Sequence, residues 1–233
     1  MALVFVTGGS RGLGLATAKA LQLQGHQIVL FAKNVERLNK AAKELGSYYE
    51  IVDLENIEQT RAVFKSAVEK YGLPDILILA HGVMSEKMSK TLKTTDAEWR
   101  RVMTINLDSV FTIVNEVGSK IADARNGRII IFSACLGRMS GPGNAGGLAP
   151  YRISKAGVNA LVRNLAHETG HGSRGLWVDA ICPNHSRTDM GGPDAPRSAE
   201  EGAATAVWLA TRELIPGTAQ TGLLWEDNEV VPW

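Results

Sequence analysis

The 233-residue sequence predicts an α/β fold: a doubly wound, mostly parallel, seven-stranded sheet with helices on both faces. Three observations predict it. Short apolar runs have the nearly continuous hydrophobicity of strands that are covered on both sides. Longer segments with a helical apolar stripe alternate with these runs, and no repeat or long linker interrupts the alternation. Because right-handed crossovers then favour one parallel sheet, we expect a single domain over residues 1–233.

The strands are predicted at the apolar runs, which span residues 3–6, 28–32, 49–52, 76–80, 128–132, 176–182 and 222–225. Two irregular stretches, residues 137–150 and 187–198, follow predicted strands at their carboxyl ends. That edge is where open α/β sheets bind ligands, so we expect these loops to form a substrate wall. The apolar side chains available for such a wall are Met84, Met88, Leu136, Met139, Pro142, Leu148, Met190 and Pro193.

The composition limits the classes of partner. With 25 basic and 24 acidic residues, the net charge of +1 provides no field that would favour nucleic acid or a membrane surface. The two cysteines lie in apolar runs, which predicts reduced thiols in a cytoplasmic protein. His167 and His171 are four residues apart, but no third ligand is evident, so no metal is expected. We expect a small-molecule substrate instead.

The first predicted strand leads directly into a glycine-rich loop, Thr7-Gly8-Gly9-Ser10-Arg11-Gly12-Leu13-Gly14, and a helical pattern follows at once. Glycines let the backbone turn sharply and approach a pyrophosphate, to which the amides of the following helix offer hydrogen bonds. This strand–loop–helix context predicts a dinucleotide site. Its expected members are Gly8, Ser10, Arg11, Gly12, Leu13 and Gly14.

The end of the second strand predicts which dinucleotide is bound. A fold that selects NAD places an acid there to hold the ribose 2′-hydroxyl, but this chain reads Ala32-Lys33-Asn34. Lys33 and Arg11 can instead make charge-assisted contacts with a 2′-phosphate, so the cofactor is predicted to be NADP(H). The alternative is that both cations are only solvated, and Arg37, one turn later, fits either interpretation.

Tyr151 and Lys155 begin another helical pattern, and their spacing of four residues places them on one helix face. A phenol with an ordinary pKa of about 10 is a poor acid or base near neutrality, but a neighbouring ammonium group lowers that pKa. Asn106 lies upstream, on the long helix predicted before the fifth strand. Together with the glycine loop, these residues predict a proton-transfer site beside the dinucleotide.

Over essentially its whole length, the chain resembles the short-chain dehydrogenases/reductases, which have a Rossmann-type fold. The resemblance rests on the TGxxxGxG spacing, the Tyr151/Lys155 pair, Asn106, and Pro183 and Thr188 in a PxxxxT arrangement. It implies that Tyr151 transfers the substrate proton, that Lys155 holds the nicotinamide ribose and tunes Tyr151, and that Asn106 supports a water relay. It also implies a homodimer or homotetramer.

The same resemblance adds residues to the expected nucleotide site: Asp53 and Leu54 near the adenine, Ala80 and Gly82 after the fourth strand, and Pro183, Thr188, Tyr151 and Lys155 on the nicotinamide side. For Asp53, capping of the following helix is an alternative role. The tail Val230-Val-Pro-Trp233 is apolar enough to dock either on its own chain or on a neighbour.

The fifth strand departs from the family pattern. The usual Ser-Ser-x-x-Gly appears as Ser133-Ala134-Cys135-Leu136-Gly137, which places Ala134 at the catalytic position. Either the strand end is shifted and Ser133 serves, or the substrate carbonyl loses a hydrogen-bond donor. By analogy with oxyanion-hole deletions, that loss costs about a hundredfold to a thousandfold in rate. Ser140 is a more remote substitute.

The segment after the fourth strand departs as well, because the usual Asn-Asn-Ala-Gly appears as Leu79-Ala80-His81-Gly82. The two amides that help to tie strands together are absent. We predict that His81 is a packed or loop histidine, with a titrating role as the alternative.

The sequence thus predicts an NADP(H)-dependent oxidoreductase that reduces a small ketone or aldehyde, or oxidises the corresponding alcohol. The alternative is a catalytically weak or silent cofactor-binding regulatory or scaffold protein, since fold resemblance does not guarantee chemistry. This alternative is supported by the alanine at position 134, where the family usually has the catalytic serine.

Overall fold

The computed structural model describes residues 1–86, 90–141, 146–214 and 220–233. Its strands are β1 (Leu3–Thr7), β2 (Gln27–Ala32), β3 (Tyr48–Ile51), β4 (Ile76–Leu79), β5 (Gly127–Phe132), β6 (Leu176–Ile181), β7 (Leu224–Glu226) and β8 (Glu229–Val231). They form one sheet in the order β3-β2-β1-β4-β5-β6-β7-β8. Seven strands lie where the apolar runs predict them and are parallel. The eighth, β8, is an antiparallel addition at the edge.

The helices are α1 (Gly12–Leu23), α2 (Val35–Leu45), α3 (Ile57–Tyr71), α4 (Asp96–Met103), α5 (Ser109–Ile113), α6 (Ser119–Ala124), α7 (Ala149–Glu168) and α8 (Ala199–Thr211). Two π-helical turns, Thr104–Asp108 and Val114–Gly118, join α4, α5 and α6 into one long helix. Short 3₁₀ turns span Thr91–Lys93 and Cys135–Gly137. None of the described helices is both long enough and apolar enough to cross a lipid bilayer.

Local sequence signals begin and end several of these helices. The Asn34 side chain accepts a hydrogen bond from the Arg37 amide at the start of α2, and Gly46 ends that helix in the left-handed conformation that glycine adopts without strain. Ser198 and Glu201 form a reciprocal capping box at the start of α8. These caps fix where the connecting loops leave the sheet.

The sheet separates two hydrophobic cores, because successive side chains of a strand point to opposite faces. In β1, Phe5 packs into one core, and its neighbours Val4 and Val6 pack into the other. The Phe5 core also contains residues of α3, α5 and α7, and the other core contains residues of α1, α2 and α8. The predicted placement of helices on both faces is therefore confirmed.

The strand order reverses direction at β1, which lies between β2 and β4. Chain connections leave to opposite sides at such a point, so a crevice opens beyond the carboxyl ends of the strands. The loops that follow β1, β2 and β4 meet there. This edge positions the candidate site.

The carboxy-terminal tail docks on its own chain. Residues of β8 pair with β7, with Leu224 opposite Val231. Beyond β8, the Ser140 hydroxyl donates to the Trp233 carbonyl oxygen at 3.1 Å, and the Arg163 guanidinium lies 5.9 Å from the centre of the Trp233 ring. The sequence left open whether the tail docks on its own chain or on a neighbour, and in the structure it docks on its own chain.

Candidate functional site

A cleft of about 940 Å³ opens at the switch point of the sheet. This volume is in the range of small-molecule binding sites. The cleft brings together most of the residues that the sequence predicts for the nucleotide site: Gly8, Ser10, Arg11, Gly12, Leu13, Gly14, Lys33, Asp53, Leu54, Ala80, Gly82 and Thr188. Tyr151, Lys155 and Pro183 are not among its lining residues.

The glycine loop forms one wall of this cleft. Gly8 has a φ of +64°, which a residue with a Cβ atom rarely adopts, and a Cβ atom at Gly14 would collide with the Gly8 carbonyl oxygen. Helix α1 therefore begins directly against the turn, and its first turn holds no acidic residue. The free amides and the positive dipole end of α1 fit a pyrophosphate group.

Three cations line the cleft near the end of β2, and each has an acidic partner. Arg11 and Arg37 both form ion pairs with the Asp189 carboxylate, the latter at 3.3 Å. Lys33 Nζ lies 2.6 Å from Asp53 Oδ2, and the hydrogen bond to Asp53 raises the pKa of Lys33. These cations are therefore paired rather than only solvated. No local pattern predicts the role of Asp189, which is 152 residues from Arg37.

Asp53 does not cap the following helix. The cap of α3 is Asn56, whose side chain accepts a hydrogen bond from the Gln59 amide at 2.9 Å. Asp53 instead accepts from the Glu55 amide at 3.2 Å and pairs with Lys33. The capping alternative for Asp53 is thus wrong, and its carboxylate faces the cleft beside Lys33.

Helix α7 carries Tyr151 and Lys155 in its first turns, and both side chains are buried. Lys155 Nζ lies 6.0 Å from the centre of the Tyr151 ring and donates to the Phe132 carbonyl oxygen at 2.7 Å. Burial lowers the pKa of Lys155 to about 8. Burial also raises the pKa of Tyr151 above its ordinary value, and the Cys135 and Cys182 thiols add to that increase.

The expected lowering of the Tyr151 pKa by Lys155 is therefore wrong for this structure. An ammonium group stabilises a phenolate most when it is close to the phenol oxygen. Lys155 is instead hydrogen-bonded to the Phe132 carbonyl, so the loss of hydration dominates at Tyr151.

Asn106 lies in the first π-helical turn, a local irregularity that is frequent at functional sites. Its Nδ2 donates to the Val83 carbonyl oxygen at 2.9 Å and to Ser154 Oγ at 3.1 Å, and its Oδ1 accepts from the Val83 amide at 2.8 Å. A Cβ atom at Gly82 would lie 3.4 Å from both Asn106 Oδ1 and Lys155 Nζ. Gly82, which lines the cleft, therefore connects it to the residues around Lys155.

The Ser133 hydroxyl is hydrogen-bonded to residues of α7. It donates to Asn159 Oδ1 at 2.5 Å and to the Lys155 carbonyl oxygen at 3.3 Å. The backbone remains extended at Ala134, so the alternation of side chains directs residues 133 and 134 to opposite sides. These contacts do not support the prediction that Ser133 serves the substrate, which stays a prediction. Ser140, the more remote substitute, donates to the tail.

His81 is a buried histidine with both ring nitrogens engaged. Its Nδ1 lies 2.6 Å from Thr7 Oγ1, and its Nε2 lies 2.8 Å from Ser109 Oγ. Because the Ser109 hydroxyl donates to the Ile105 carbonyl oxygen at 2.7 Å, we assign the ring proton to Nε2, so that Nδ1 accepts from Thr7. Burial, reinforced by the charge of Lys155, lowers the pKa of His81 to about 3.

The prediction of a packed histidine at position 81 is thus confirmed, and its burial disfavours a titrating role near neutrality. His81 joins the end of β1 to α5. Its two hydrogen bonds connect neighbouring elements, a role that Leu79 and Ala80 cannot fill because they have no side-chain amide.

The predicted substrate wall is only partly described. Thr188 and Met190 line the cleft, and Thr188 Cγ2 would lie 3.2 Å from a Cβ atom at Gly12. Pro183 accepts a hydrogen bond from Ser186 Oγ through its carbonyl oxygen at 3.0 Å. Met88 and Pro142 lie outside the described residues.

His167 and His171 contact each other, with 4.2 Å between ring centres. Within the described parts of the chain, no group of three or more histidine, cysteine, aspartate or glutamate side chains could hold a metal ion.

Comparisons with known proteins agree with this architecture. The family model described as short chain dehydrogenase matches residues 2–199. A 3-oxoacyl-(acyl-carrier-protein) reductase of Vibrio cholerae is 32% identical over 187 residues, which cover 79% of this chain and 73% of that protein.

Two solved structures are similar as well. A dehydrogenase/reductase from Sinorhizobium meliloti has a TM-score of 0.80 and 28% identity, with 95% of this chain and 91% of that chain covered. A structure from Brucella melitensis, described as ribose-5-phosphate isomerase, has a TM-score of 0.84 and 25% identity, with 96% and 89% covered. The matches in sequence and fold establish that this chain belongs to the short-chain dehydrogenase/reductase family.

Proposed function

We propose that this chain is an NADP(H)-dependent oxidoreductase that reduces a small ketone or aldehyde, or oxidises the corresponding alcohol. One observation carries the proposal. Gly82 lines the glycine-loop cleft and lies against Asn106 and Lys155. Lys155 in turn lies 6.0 Å from the centre of the Tyr151 ring. A nucleotide site with a proton donor close beside it is suited to the reduction of a carbonyl group.

The residues of the cleft fit a phosphorylated dinucleotide. The start of α1 would bind its pyrophosphate, and Arg11 and Arg37, which already hold one carboxylate between them, would bind its 2′-phosphate. Lys33 adds positive charge beside Asp53. When bound, NADP(H) supplies the hydride chemistry, and the protein supplies position and electrostatics.

Tyr151 is assigned the proton that passes to the substrate oxygen. Because burial raises its pKa, Tyr151 stays protonated at neutral pH and is ready to donate, which favours the reductive direction. Lys155 would turn from the Phe132 carbonyl towards the ribose hydroxyls of the nucleotide. Asn106, held by Val83 and Ser154, keeps the backbone around Gly82 in place.

The substrate class needs direct testing, because one fold supports many activities. The Vibrio cholerae relative is named a 3-oxoacyl reductase, whereas the Brucella melitensis structure is described as an isomerase. A substrate panel should therefore contain small ketones, aldehydes and a short 3-oxoacyl thioester.

A catalytically weak or silent nucleotide-binding protein is the second candidate, and Ala134 favours it. Ala134 leaves the usual serine position without a hydroxyl, and the Ser133 hydroxyl is bound to α7. A protein of this kind would bind NADP(H) and signal through it without turnover.

Nucleotide binding is the first experiment. Fluorescence titrations with NADPH and NADH would compare the wild type with Arg11→Ala, Lys33→Ala and the control Lys65→Ala, which lies on the exposed face of α3. We expect NADPH to bind more tightly, and only the two cleft variants to lose that preference. Failure of both nucleotides to bind would refute the proposed function.

Turnover separates the two candidate functions. The substrate panel would be assayed by the absorbance of NADPH, with Tyr151→Phe as the inactive control. Turnover that disappears in Tyr151→Phe supports the oxidoreductase. Tight NADPH binding without turnover, even after Ala134→Ser restores the hydroxyl, supports the silent binding protein.

A further inference from the structure

The two cysteines of this chain meet at the same edge of the sheet as the candidate active site. Cys135 begins the 3₁₀ turn that follows β5, and Cys182 immediately follows β6. These strands are parallel neighbours with Phe132 opposite Ile181, so both cysteines lie beyond their carboxyl ends. Cys135 packs against the hydrophobic cluster that contains Cys182, although 47 positions separate the two residues in the chain.

The two thiols differ in access. Cys182 is buried, with 2% of its surface exposed, whereas Cys135 is half-buried. An oxidant in solution can therefore reach Cys135 before it reaches Cys182. A reactive cysteine paired with a protected one is the usual arrangement of an attacking and a resolving thiol.

The surroundings of the two thiols also differ in how far they stabilise a negative charge on sulfur. The neighbouring Cys182 thiol holds the pKa of the Cys135 thiol below its usual range, and Arg138 helps. Burial and the Glu226 carboxylate oppose that decrease. The pKa of Cys182 is raised by its contact with Cys135 and by burial. The surroundings of Cys135 therefore favour a thiolate more than those of the buried Cys182 do.

The pair lies beside the catalytic group. Burial raises the pKa of Tyr151, and the negative charge that the two cysteines can carry raises it further. The turn that Cys135 begins ends at Gly137, where a Cβ atom would lie 2.7 Å from the Lys155 carbonyl carbon. A shift of Cys135 towards β6 would therefore move a turn that packs directly on the backbone of Lys155.

We propose that Cys135 and Cys182 form a peroxide-oxidisable dithiol, with Cys135 as the attacking thiol, Cys182 as the resolving thiol, and a disulfide that turns down the adjacent active site. The effect on turnover rests on the proposed function, whereas formation of the disulfide does not. The site takes a hydroperoxide as its oxidant.

The chemistry balances with one peroxide for each disulfide. The Cys135 thiolate attacks one peroxide oxygen, the O–O bond breaks, and hydroxide leaves, which gives a sulfenic acid on Cys135. Cys182 then attacks the Cys135 sulfur through its own sulfur. The S–O bond breaks, and the hydroxyl leaves with the Cys182 proton as water. The two sulfurs lose two electrons in total, and the peroxide gains them.

The test is carried out on the full chain by mass spectrometry. The protein would be treated with hydrogen peroxide, its remaining thiols would be alkylated, and the products would be compared with those of Cys135→Ala and Cys182→Ala. In the wild type we expect a peptide that links Cys135 to Cys182. In Cys182→Ala we expect a sulfenic acid on Cys135, trapped by dimedone, and in Cys135→Ala neither product.

Two results would overturn the dithiol: wild-type thiols that both remain alkylatable under peroxide that oxidises free cysteine, or linkage only between separate molecules. Circular dichroism confirms that each variant is folded, and wild-type peptide mapping decides the question even if Cys182→Ala does not fold. The mass measurement needs no turnover, so it is independent of the proposed function.

The control of activity is tested separately. Peroxide should reduce carbonyl turnover of the wild type, a thiol reductant should restore it, and Cys135→Ala should keep its turnover throughout. A wild type that carries the disulfide and turns over at an unchanged rate would refute the control of the active site.

Discussion

His81 predicts a specific acid sensitivity of the fold. An unfolded histidine binds its proton with a pKa of 6.5, whereas native His81, buried between Thr7 and Ser109, does so at about 3. Below pH 6.5 the unfolded chain therefore binds more protons at this position than the native chain does. The contribution of His81 to stability is complete above that pH and is lost as the pH falls towards 3.

The size of the effect follows from the two pKa values. Between about pH 7.5 and about pH 5, the unfolded state gains about 1.5 pH units of protonation free energy that the native state does not gain, which corresponds to about 2 kcal/mol. Native His81 is almost wholly neutral at both conditions, so the change in free energy comes from the unfolded state.

The assay is urea denaturation at both conditions, with one fixed protein concentration. His81→Asn and His81→Gln remove the titrating ring, and His167→Asn, an exposed position on α7, is the matched control. The decrease in unfolding free energy on acidification should be about 2 kcal/mol smaller in the position-81 variants than in the wild type and the control. Equal decreases in all four proteins would refute the assignment. If neither position-81 variant folds, NMR titration of the wild-type imidazole gives the same answer, since His81 should not titrate across this range.

Four further outcomes are expected. Ala134→Ser should raise kcat by about a hundredfold or more, because it restores a hydroxyl beside the substrate carbonyl; an unchanged kcat would place the carbonyl elsewhere. Tyr151→Phe should lower kcat by about a hundredfold or more while NADPH affinity is kept, and a loss of affinity alone would contradict the assigned role. Turnover should fall as the pH rises through about 8, where Lys155 loses its proton, and a flat pH–rate profile above neutrality would exclude that dependence. Asp179 is a buried residue of β6, and burial raises its pKa to about 6, so it contributes stability that is complete below pH 3.8 and is lost as the pH rises through 6; urea denaturation of Asp179→Asn should lack that loss.

The main architecture could be predicted because its signals are local in the sequence. The runs that form β1 to β7 are mostly apolar, and the glycine loop stands between its strand and its helix within a few residues. Tyr151 and Lys155 share one helical turn. Such features depend on neighbours in the chain, so periodicity and spacing are sufficient to predict them.

The contacts that complete the site could not be predicted in this way. His81 meets Thr7 and Ser109 across separations of 74 and 28 residues, and Asp189 reaches the cleft from the far end of the chain. The raised pKa of Tyr151 depends on burial, which exists only once α7 packs on the sheet. The short strand β8 depends in the same way on β7, because three residues carry too little pattern to predict a strand.

The placement of Asp189 makes nucleotide binding an exchange of anions. Arg11 and Arg37 already share this carboxylate, which offsets one of their two positive charges, so a 2′-phosphate enters by replacing one negatively charged group with another. An open cationic site would attract dissolved anions, and salt would compete directly with the nucleotide. Here Asp189 is an exposed carboxylate of the same chain, and its local concentration does not change with bulk salt. The affinity of the wild type for NADPH should therefore depend weakly on ionic strength, and Asp189→Asn should bind NADPH more tightly in dilute buffer but lose more of that affinity as salt is added.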